Sequence, residues 1–562
     1  MDFKNSLAKL ISQKTGIDAK EVFDLMEIPK EPSHGDYAFP CFILSKKLKK
    51  PPQIIAKDLK EELGGDWFTS NNIGPYLNFK IENKFLSEVV LKKIKEPLQL
   101  AINNDLTVGI ESPAPNSNKP LHLGHLRNML LGLSLKNIYE KTGKKTIWFD
   151  IVNDRGTHIC KSMLAYKLEG ENKTPKSVNK KSDHFVGDYY VKFSALQKDN
   201  PDLEKKAQEM LQKWENDDEE TVALWRRMRD WWLEGARQTY DEYGIKIDYQ
   251  TFESEIYKEG KKIILDGLNK GLFEKDESGA VFVDLSKQGL GKKYLLRSDG
   301  TAIYITQDIY LAKKRFEEHS LDEFSYVVGS EQIYHFKVLF EILKKLGFDF
   351  AEKCRHISYG LISLPHGRMK SREGTVVDAD DFKENMLELA EVELKERYSN
   401  LSVDELNKRR EIIATGAINF FILKYDSKKD FTYFPEQSLS FQGESGPYVQ
   451  YTHARICSIL KKQSAPSNVA FDVLNLDIEK QLVNKLKQYE FIVSYASNNS
   501  KPSSITNYLL ELSQLFNSYY QEVNILKEEP KIRDVRLFLI DKVRIIIKDG
   551  LSLLGIIAPE EM

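Results

Sequence analysis

Cysteine is scarce in this chain: Cys41, Cys160, Cys354 and Cys457 are the only four, they stand far apart, and they make no CxxC pair. That spacing argues against a disulfide framework and against a zinc site, and reduced thiols suit a cytoplasmic compartment. Neither sign of charge is in excess. Lys plus Arg number 82 and Asp plus Glu 84, for a formal net charge of -2. The total therefore gives no argument for a polyanionic partner, and any such surface must be a local patch. No apolar run reaches a membrane span, since the stretch INFFIL ends at Lys424. The opening MDFKNSLAKLISQKTG has no apolar signal core and no arginine, so neither export nor organelle import is expected. Internal repeats and low-complexity blocks are also lacking. What remains is an ordinary soluble composition, 41% hydrophobic and 30% charged, spread over 562 residues. That length exceeds one core and implies about three or four domains.

Patterning divides the chain. Residues 1–105 read as a small α+β unit, with helical spacing over Leu7–Ser12 and Ile54–Leu63 and a strand at Tyr76–Ile81 after the Gly74–Pro75 turn. The apolar run Leu106–Ile110 then feeds the loop SPAPNSNKP and the helix-like LGHLRNMLLGLSLKNIYEKTG, with Gly143 at its end. A second strand, Lys145–Val152, follows at once. Strand, helix and strand make a βαβ unit of a parallel, doubly wound sheet of the Rossmann type, placed in a unit over 106–403. Helical patterning from about Lys161 to Ile247 interrupts that sheet as an insertion of about 161–260, and strands are expected to return at Ala280–Asp284, Ala302–Thr306 and Phe324–Gly329. Residues 404–562 read as an all-α bundle with a polar break at Lys462–Ser467.

Two segments carry chemistry. PNSNKPLHLGHLRN places His122 and His125 around Gly124 near the start of the helix after the first sheet strand. A helix start offers free N–H groups and a positive dipole end to phosphate, imidazoles add donors, and glycine lets a flat ring approach the backbone. Alone, two histidines on a helix also bind a metal or simply decorate a face; the strand–loop–helix junction is what points to a nucleotide. The second segment, HGRMKSREGT, comes after the sheet strands and is either a solvated basic turn or a loop bringing Lys370 to a triphosphate as pyrophosphate leaves.

HLGH resembles the HIGH motif of class I aminoacyl-tRNA synthetases, and RMKSR resembles their KMSKS loop. SHGDYAFPCF, KWENDDEETVALW, LLRSDGTAIYITQDI, GSEQIYHFKVLFEIL, GPYVQYTHARICSIL and GLSLLGIIAPEEM extend the resemblance over nearly the whole chain, in order, to the arginyl-tRNA synthetase family. The resemblance implies ATP, carried with Mg²⁺, and L-arginine as substrates, with no metal fixed by the protein and no zinc. It assigns Lys119, His122, Gly124, His125, Met369, Lys370 and Ser371 to the nucleotide. Ser371 stands where the pattern has its second lysine, so Lys119 and Lys370 together are expected to neutralise the phosphates.

Tyr304 and Asp308 lie four apart and share a face whether the segment is helix or strand. The resemblance makes them readers of the guanidinium, and adds Glu111, Asn116, His125 and Gln332 to the arginine pocket. Read without it, the alternatives are Asp308 as a helix cap, Tyr304 as a core ring and Gln332 as a surface amide. The N-terminal unit resembles the family's add-on domain, in which Tyr76 and Asn78 would meet an unpaired base at the outer corner of tRNA(Arg). The helical end resembles the anticodon-binding bundle, with Tyr448, Tyr451, His453, Arg455, Tyr520 and Met562 toward the anticodon loop, although an aromatic stripe in a bundle is often core. A monomer is the family habit, and activation there usually needs bound tRNA. Other class I synthetases and an inactive tRNA-binding paralogue are the competing readings. The first lacks support because a cysteinyl type would want zinc; the second is opposed by the intact HLGH and both lysines.

Overall fold

Asp2 accepts a hydrogen bond from the Asn5 amide at 3.1 Å and so starts the Phe3–Thr15 helix, whose Leu7, Ala8 and Ile11 point into the core without exposure. That helix and the Pro52–Glu62 helix cover an antiparallel sheet of order β1-β3-β2, with β1 at Tyr37–Pro40, β2 at Phe68–Ile73 and β3 at Tyr76–Ile81. The computed structural model describes residues 2–29, 31–100, 105–170, 172–365, 377–398 and 400–562.

The central unit is built on β4 (Thr107–Glu111), β5 (Lys145–Val152) and β6 (Tyr249–Phe252). A separate antiparallel sheet holds β7 (Glu274–Lys275), β8 (Val281–Leu285) and β9 (Gly291–Leu296), and the chain then re-enters the first sheet with β10 (Glu323–Gly329) and β11 (Cys354–Tyr359). Among the described residues the parallel sheet has the order β11-β10-β4-β5-β6. Chain order runs one way from β4 to β6 and the other way from β10 to β11. The strand order thus reverses between β4 and β10, and the crevice beyond their carboxyl ends is where such a sheet binds ligands.

The Leu123–Lys141 helix between β4 and β5 is buried on more than one face, at Leu126, Leu130, Leu131, Leu135 and Ile138, because it lies between two partners. One side packs on the sheet. The other meets the C-terminal bundle, where Ser134 Oγ donates to the Leu553 carbonyl at 2.9 Å and Lys141 pairs with Asp549. That bundle comprises Val403–Lys424, Gly446–Lys462, Asp477–Lys487, Tyr489–Asn499, Ser503–Glu522 and Pro530–Leu553, and the polar break after Lys462 is irregular up to the short turn at Phe471–Val473. No helix among the described residues is long and apolar enough to cross a membrane.

Three expectations about the sheet need correction. Ala302–Thr306 is not a strand: only Ala302 bridges to Leu296, and a helix begins at Tyr304 with Ile303 as its extended N-cap. The segment at Ala280–Asp284 does form a strand, but in the antiparallel sheet rather than the central one. The helices over Thr157–Glu169, Ser182–Asp199, Leu203–Glu215 and Glu219–Glu242 are the crossover from β5 to β6, so β6 closes the sheet edge behind them. The short, half-exposed YQTF of β6 and the mixed CRHISY of β11 carry too little apolar alternation to be read as strands from sequence.

Candidate active site

The loop after β4 is stitched to the end of β5. Asn116 bridges to Asn153, the Asn153 amide donates to the Pro115 carbonyl at 2.9 Å, and the Ala114 amide donates to Asp150 Oδ1 at 3.1 Å. Lys119 is held by its carbonyl, which accepts from Trp232 Nε1 at 2.8 Å, and burial lowers the pKa of its ammonium. These bonds deliver the chain to His122, the N-cap of the Leu123–Lys141 helix.

His122 Nδ1 accepts from the Gly124 amide at 3.1 Å, and His125 Nδ1 accepts from the His122 amide at 3.2 Å. Both Nδ1 atoms are thereby fixed as acceptors, so each neutral ring carries its proton on Nε2. Neutrality follows from burial. It pushes His122 down to about 4, with Lys119 adding repulsion, and His125 well below the ordinary histidine range. The rings lie 3.9 Å apart between centroids. Gly124 suits this fold-back, because a Cβ there would stand only 3.0 Å from the His122 ring. The site thus presents two adjacent, mutually tilted imidazoles as uncharged N–H donors at a helix N-terminus.

The Tyr304–His319 helix carries Tyr304, Asp308 and Arg315 along one stripe. The Tyr304 hydroxyl donates to Asn153 Oδ1 at 3.1 Å, linking it to the loop that bears Asn116. Asp308 Oδ2 lies 2.7 Å from His335 Nε2. Gln332 is exposed just beyond β10, at the start of the Ile333–Lys345 helix. Glu111, at the end of β4, is 6% exposed and ion-paired through Oε2 with Arg315, whose guanidinium lies 5.1 Å from both the Phe149 and Phe324 rings. The structure therefore joins Tyr304 with Asn153 and Asp308 with His335, whereas Glu111 is already matched by a cation that sequence reasoning missed.

Arg127, in the HLGHLRN segment, is another buried cation outside the expected set. It donates to the carbonyls of Gly360, Ser427 and Lys429 at 2.5, 2.9 and 2.9 Å, and burial lowers it to about 10. It ties the motif helix to the chain leaving β11. Met369, Lys370 and Ser371 lie outside the described residues.

Glu253, directly after β6, is 6% exposed, and burial pushes its carboxyl up to about 7 against the opposing Arg155, 3.8 Å away. An unfolded glutamate ionises at about 4.3, so between these values the folded chain holds a proton that the unfolded chain has released. The resulting stability is complete at low pH and is lost as pH rises through about 7. In Glu253→Gln the melting temperature relative to the parent should climb from pH 5 to pH 8, reaching up to roughly 3 kcal/mol of relative stabilisation. A difference independent of pH would refute this.

In the helical end, Arg455 lies 4.7 Å from the Tyr451 ring and 5.0 Å from the Tyr520 ring, and its Nη1 donates to Asn517 Oδ1 at 2.5 Å. Asn517 in turn donates to the Tyr448 hydroxyl oxygen at 3.0 Å. Tyr448, Tyr451, Arg455 and Tyr520 therefore form one partly open cluster, with Asn517 as the member not foreseen. His453 does not belong to it. It is 1% exposed, its Nδ1 lies 2.8 Å from the Pro559 carbonyl, and burial lowers it to about 4, so it packs the C-terminal tail instead of facing a base. Met562 is half-buried, and its carbonyl accepts from Tyr398. In the N-terminal unit Tyr76 is half-buried edge-on to Phe42, whereas Asn78 is 5% exposed and its Nδ2 donates to the His34 carbonyl at 2.7 Å.

Residues 86–434 match the family model of the class I tRNA synthetase (R) catalytic domain, 449–562 that of the DALR anticodon binding domain, and 1–81 that of the arginyl tRNA synthetase N-terminal domain. The arginine–tRNA ligase of Treponema denticola is 41% identical over 98% of this chain and 98% of its own, and that of Porphyromonas gingivalis 38% over 100% and 99%. Among solved structures, Thermus thermophilus arginyl-tRNA synthetase superposes with a TM-score of 0.83 at 26% identity over 100% of both chains. The arginyl-tRNA synthetase of Plasmodium falciparum shares the fold, with a TM-score of 0.77 at 20% identity over 99% of both. Full-length relatives of this similarity, and a sheet whose switch point carries HLGH on a helix start, place the chain in the arginyl-tRNA synthetase family of class I aminoacyl-tRNA synthetases.

Proposed function

We propose that the chain joins L-arginine to tRNA(Arg) in two steps at the crevice between β4 and β10. In the first, an arginine carboxylate oxygen attacks the α-phosphorus of ATP, the bond to the bridging oxygen breaks, and pyrophosphate leaves. In the second, a terminal ribose hydroxyl of tRNA attacks the adenylate carbonyl and AMP leaves. No covalent bond to the enzyme forms, so its residues bind, orient and stabilise charge. The observation that carries this reading is the pair of neutral imidazoles at the start of the Leu123–Lys141 helix.

Their Nε2–H groups would donate to phosphate oxygens as negative charge grows, with no proton changing owner. Lys119 and Lys370 would add positive charge, and Mg²⁺ arrives with the triphosphate as part of the nucleotide substrate. Asp308, oriented by His335, would take the guanidinium in the planar two-point contact that lysine cannot reproduce. The Tyr304 hydroxyl would complete it. Asn116 and Gln332 would hold the α-amino and carboxylate ends, together with Glu111 through the Oε1 not engaged by Arg315.

We assign residues 1–105 to the tRNA corner, with Tyr76 offering the ring, 106–403 to catalysis and 404–562 to the anticodon. Arg455, lying against Tyr451 and Tyr520, would stack and charge-match an unstacked anticodon base. Arg455→Ala should raise the KM for tRNA by about tenfold and leave the KM for arginine unchanged in steady-state aminoacylation; equal changes in both would remove the cluster from tRNA binding. We read the protein as a cytoplasmic monomer. The decisive assay is ATP–pyrophosphate exchange with each amino acid, with and without tRNA. Exchange is expected with arginine, and its absence in the presence of cognate tRNA would overturn the reading.

A further inference from the structure

Three carboxylates and an imidazole converge where the Ser182–Asp199 helix meets the start of the Ala379–Arg397 helix. His184 Nε2 lies 2.9 Å from Asp380 Oδ2 and 3.4 Å from Asp378 Oδ2. One ligand-type atom each from Asp183, His184 and Asp380 falls within 4.8 Å of the others. The cation already present is Lys181, whose ammonium pairs with Asp380 Oδ2, donates to Thr239 Oγ1 at 2.5 Å and stands 3.7 Å from Asp183 Oδ2. Thr239 Oγ1 also donates to Asp380 Oδ1 at 2.8 Å. Nearby Lys383 does not help, because it pairs with Glu411 at 2.7 Å and donates to the Glu242 carbonyl. Three carboxylates against one ammonium leave an excess of two negative charges with His184 neutral, or one with it protonated.

Asp183 is the independent sign of a missing partner. Its side chain has no exposure, and neither carboxylate oxygen has a hydrogen-bond partner among the described residues. Gly235 closes on it so tightly that a Cβ there would stand 2.2 Å from Oδ1, so the carboxylate is wedged against the Glu219–Glu242 helix. Burial raises the Asp183 pKa, and Lys181 stands 3.7 Å from Oδ2, so a cation at bonding distance would hold the carboxylate ionised.

We infer that Asp183, His184 and Asp380, with Asp378, form a binding site for one divalent transition-metal cation, separate from the nucleotide, in which Lys181 is the built-in competitor. One imidazole among carboxylates suits Mn²⁺, Co²⁺ or Zn²⁺ better than Mg²⁺, which prefers oxygen alone. Separations of 2.9 and 3.4 Å are those of neighbouring ligands around an ion with bonds of about 2.1 Å. The Lys181 side chain is 20% exposed and can withdraw to solvent as the ion enters. The site is also connected to the HLGH motif: His122 pairs with Asp378 in an isolated bridge, and the Ala379 amide donates to the Leu121 carbonyl at 2.9 Å. An ion would therefore clamp the crossover helices to the backbone beside the two imidazoles.

The test is titration of the chelator-treated full-length chain with Mn²⁺, Zn²⁺ or Co²⁺ alone, without nucleotide, by calorimetry and by the visible absorption of bound Co²⁺. One ion per chain is expected. His184→Gln and Asp183→Asn should each weaken binding by about tenfold or more, whereas Lys181→Met should tighten it by about tenfold by removing a like charge. Thermal melting checks that each variant folds, and if Asp183→Asn does not fold, the opposite signs of His184→Gln and Lys181→Met still decide. No saturable binding, or binding indifferent to both His184→Gln and Lys181→Met, overturns the proposal and leaves a Lys181-neutralised ion network.

Discussion

Asp308→Ala is expected to lower kcat/KM for arginine by about 10³, a loss of about 4 kcal/mol, with tRNA affinity nearly unchanged. The size follows from the chemistry of the ligand. A guanidinium entering the crevice sheds water, and without the carboxylate it becomes a desolvated charge with no counter-charge. The free enzyme tolerates the change better, because the Asp308 side chain is 23% exposed and, among the described residues, its side chain pairs with His335 alone. Asp308→Asn separates charge from shape: if the planar ion pair matters, the amide variant should fall nearly as far as the alanine variant. Pyrophosphate exchange and tRNA binding, measured side by side, check the expectation. An equal fall in both would assign Asp308 to folding rather than to recognition.

His122→Asn should reduce kcat for arginine-dependent exchange by about 10² to 10³ while the KM for arginine moves little. Asparagine is itself a good N-cap, so the helix start is kept while the ring and its Nε2–H are removed. The predicted loss is therefore one of transition-state charge stabilisation and not of the helix. The same geometry makes a statement about pH. Burial places His122 at about 4 and holds His125 well below the ordinary histidine range, so both rings stay neutral from pH 6 to pH 8 and contribute no titration limb there. A limb near neutrality that disappears in His122→Asn would show instead that the imidazole works as a protonated group.

Much of this site could be read along the chain, and the reason is local. Helix starts are set within one turn by caps and side-chain spacing, so His122, Gly124 and His125 could be placed on a helix N-terminus from sequence. The four-residue spacing of Tyr304 and Asp308 gives a shared face in either secondary structure, so it holds even though Ala302–Thr306 is a helix start and not a strand. Strands with continuous apolar runs, such as Lys145–Val152, were recognisable as well, whereas YQTF at the sheet edge was not.

What local pattern could not determine is which buried charge stands opposite which. Glu111 meets Arg315 across 204 residues, Arg127 reaches Gly360 across 233, and His184 reaches Asp380 across 196. His453 turns inward to the Pro559 carbonyl because the C-terminal tail packs over it. Each of these depends on elements brought together by burying apolar surface, a non-directional force that leaves no mark at the polar residue it encloses. The sequence by itself thus determined the kind of site and the helix start that presents it. Only the tertiary structure decided which carboxylates remain available to a ligand, because in a low-dielectric interior a charge is committed to whatever lies within bonding distance.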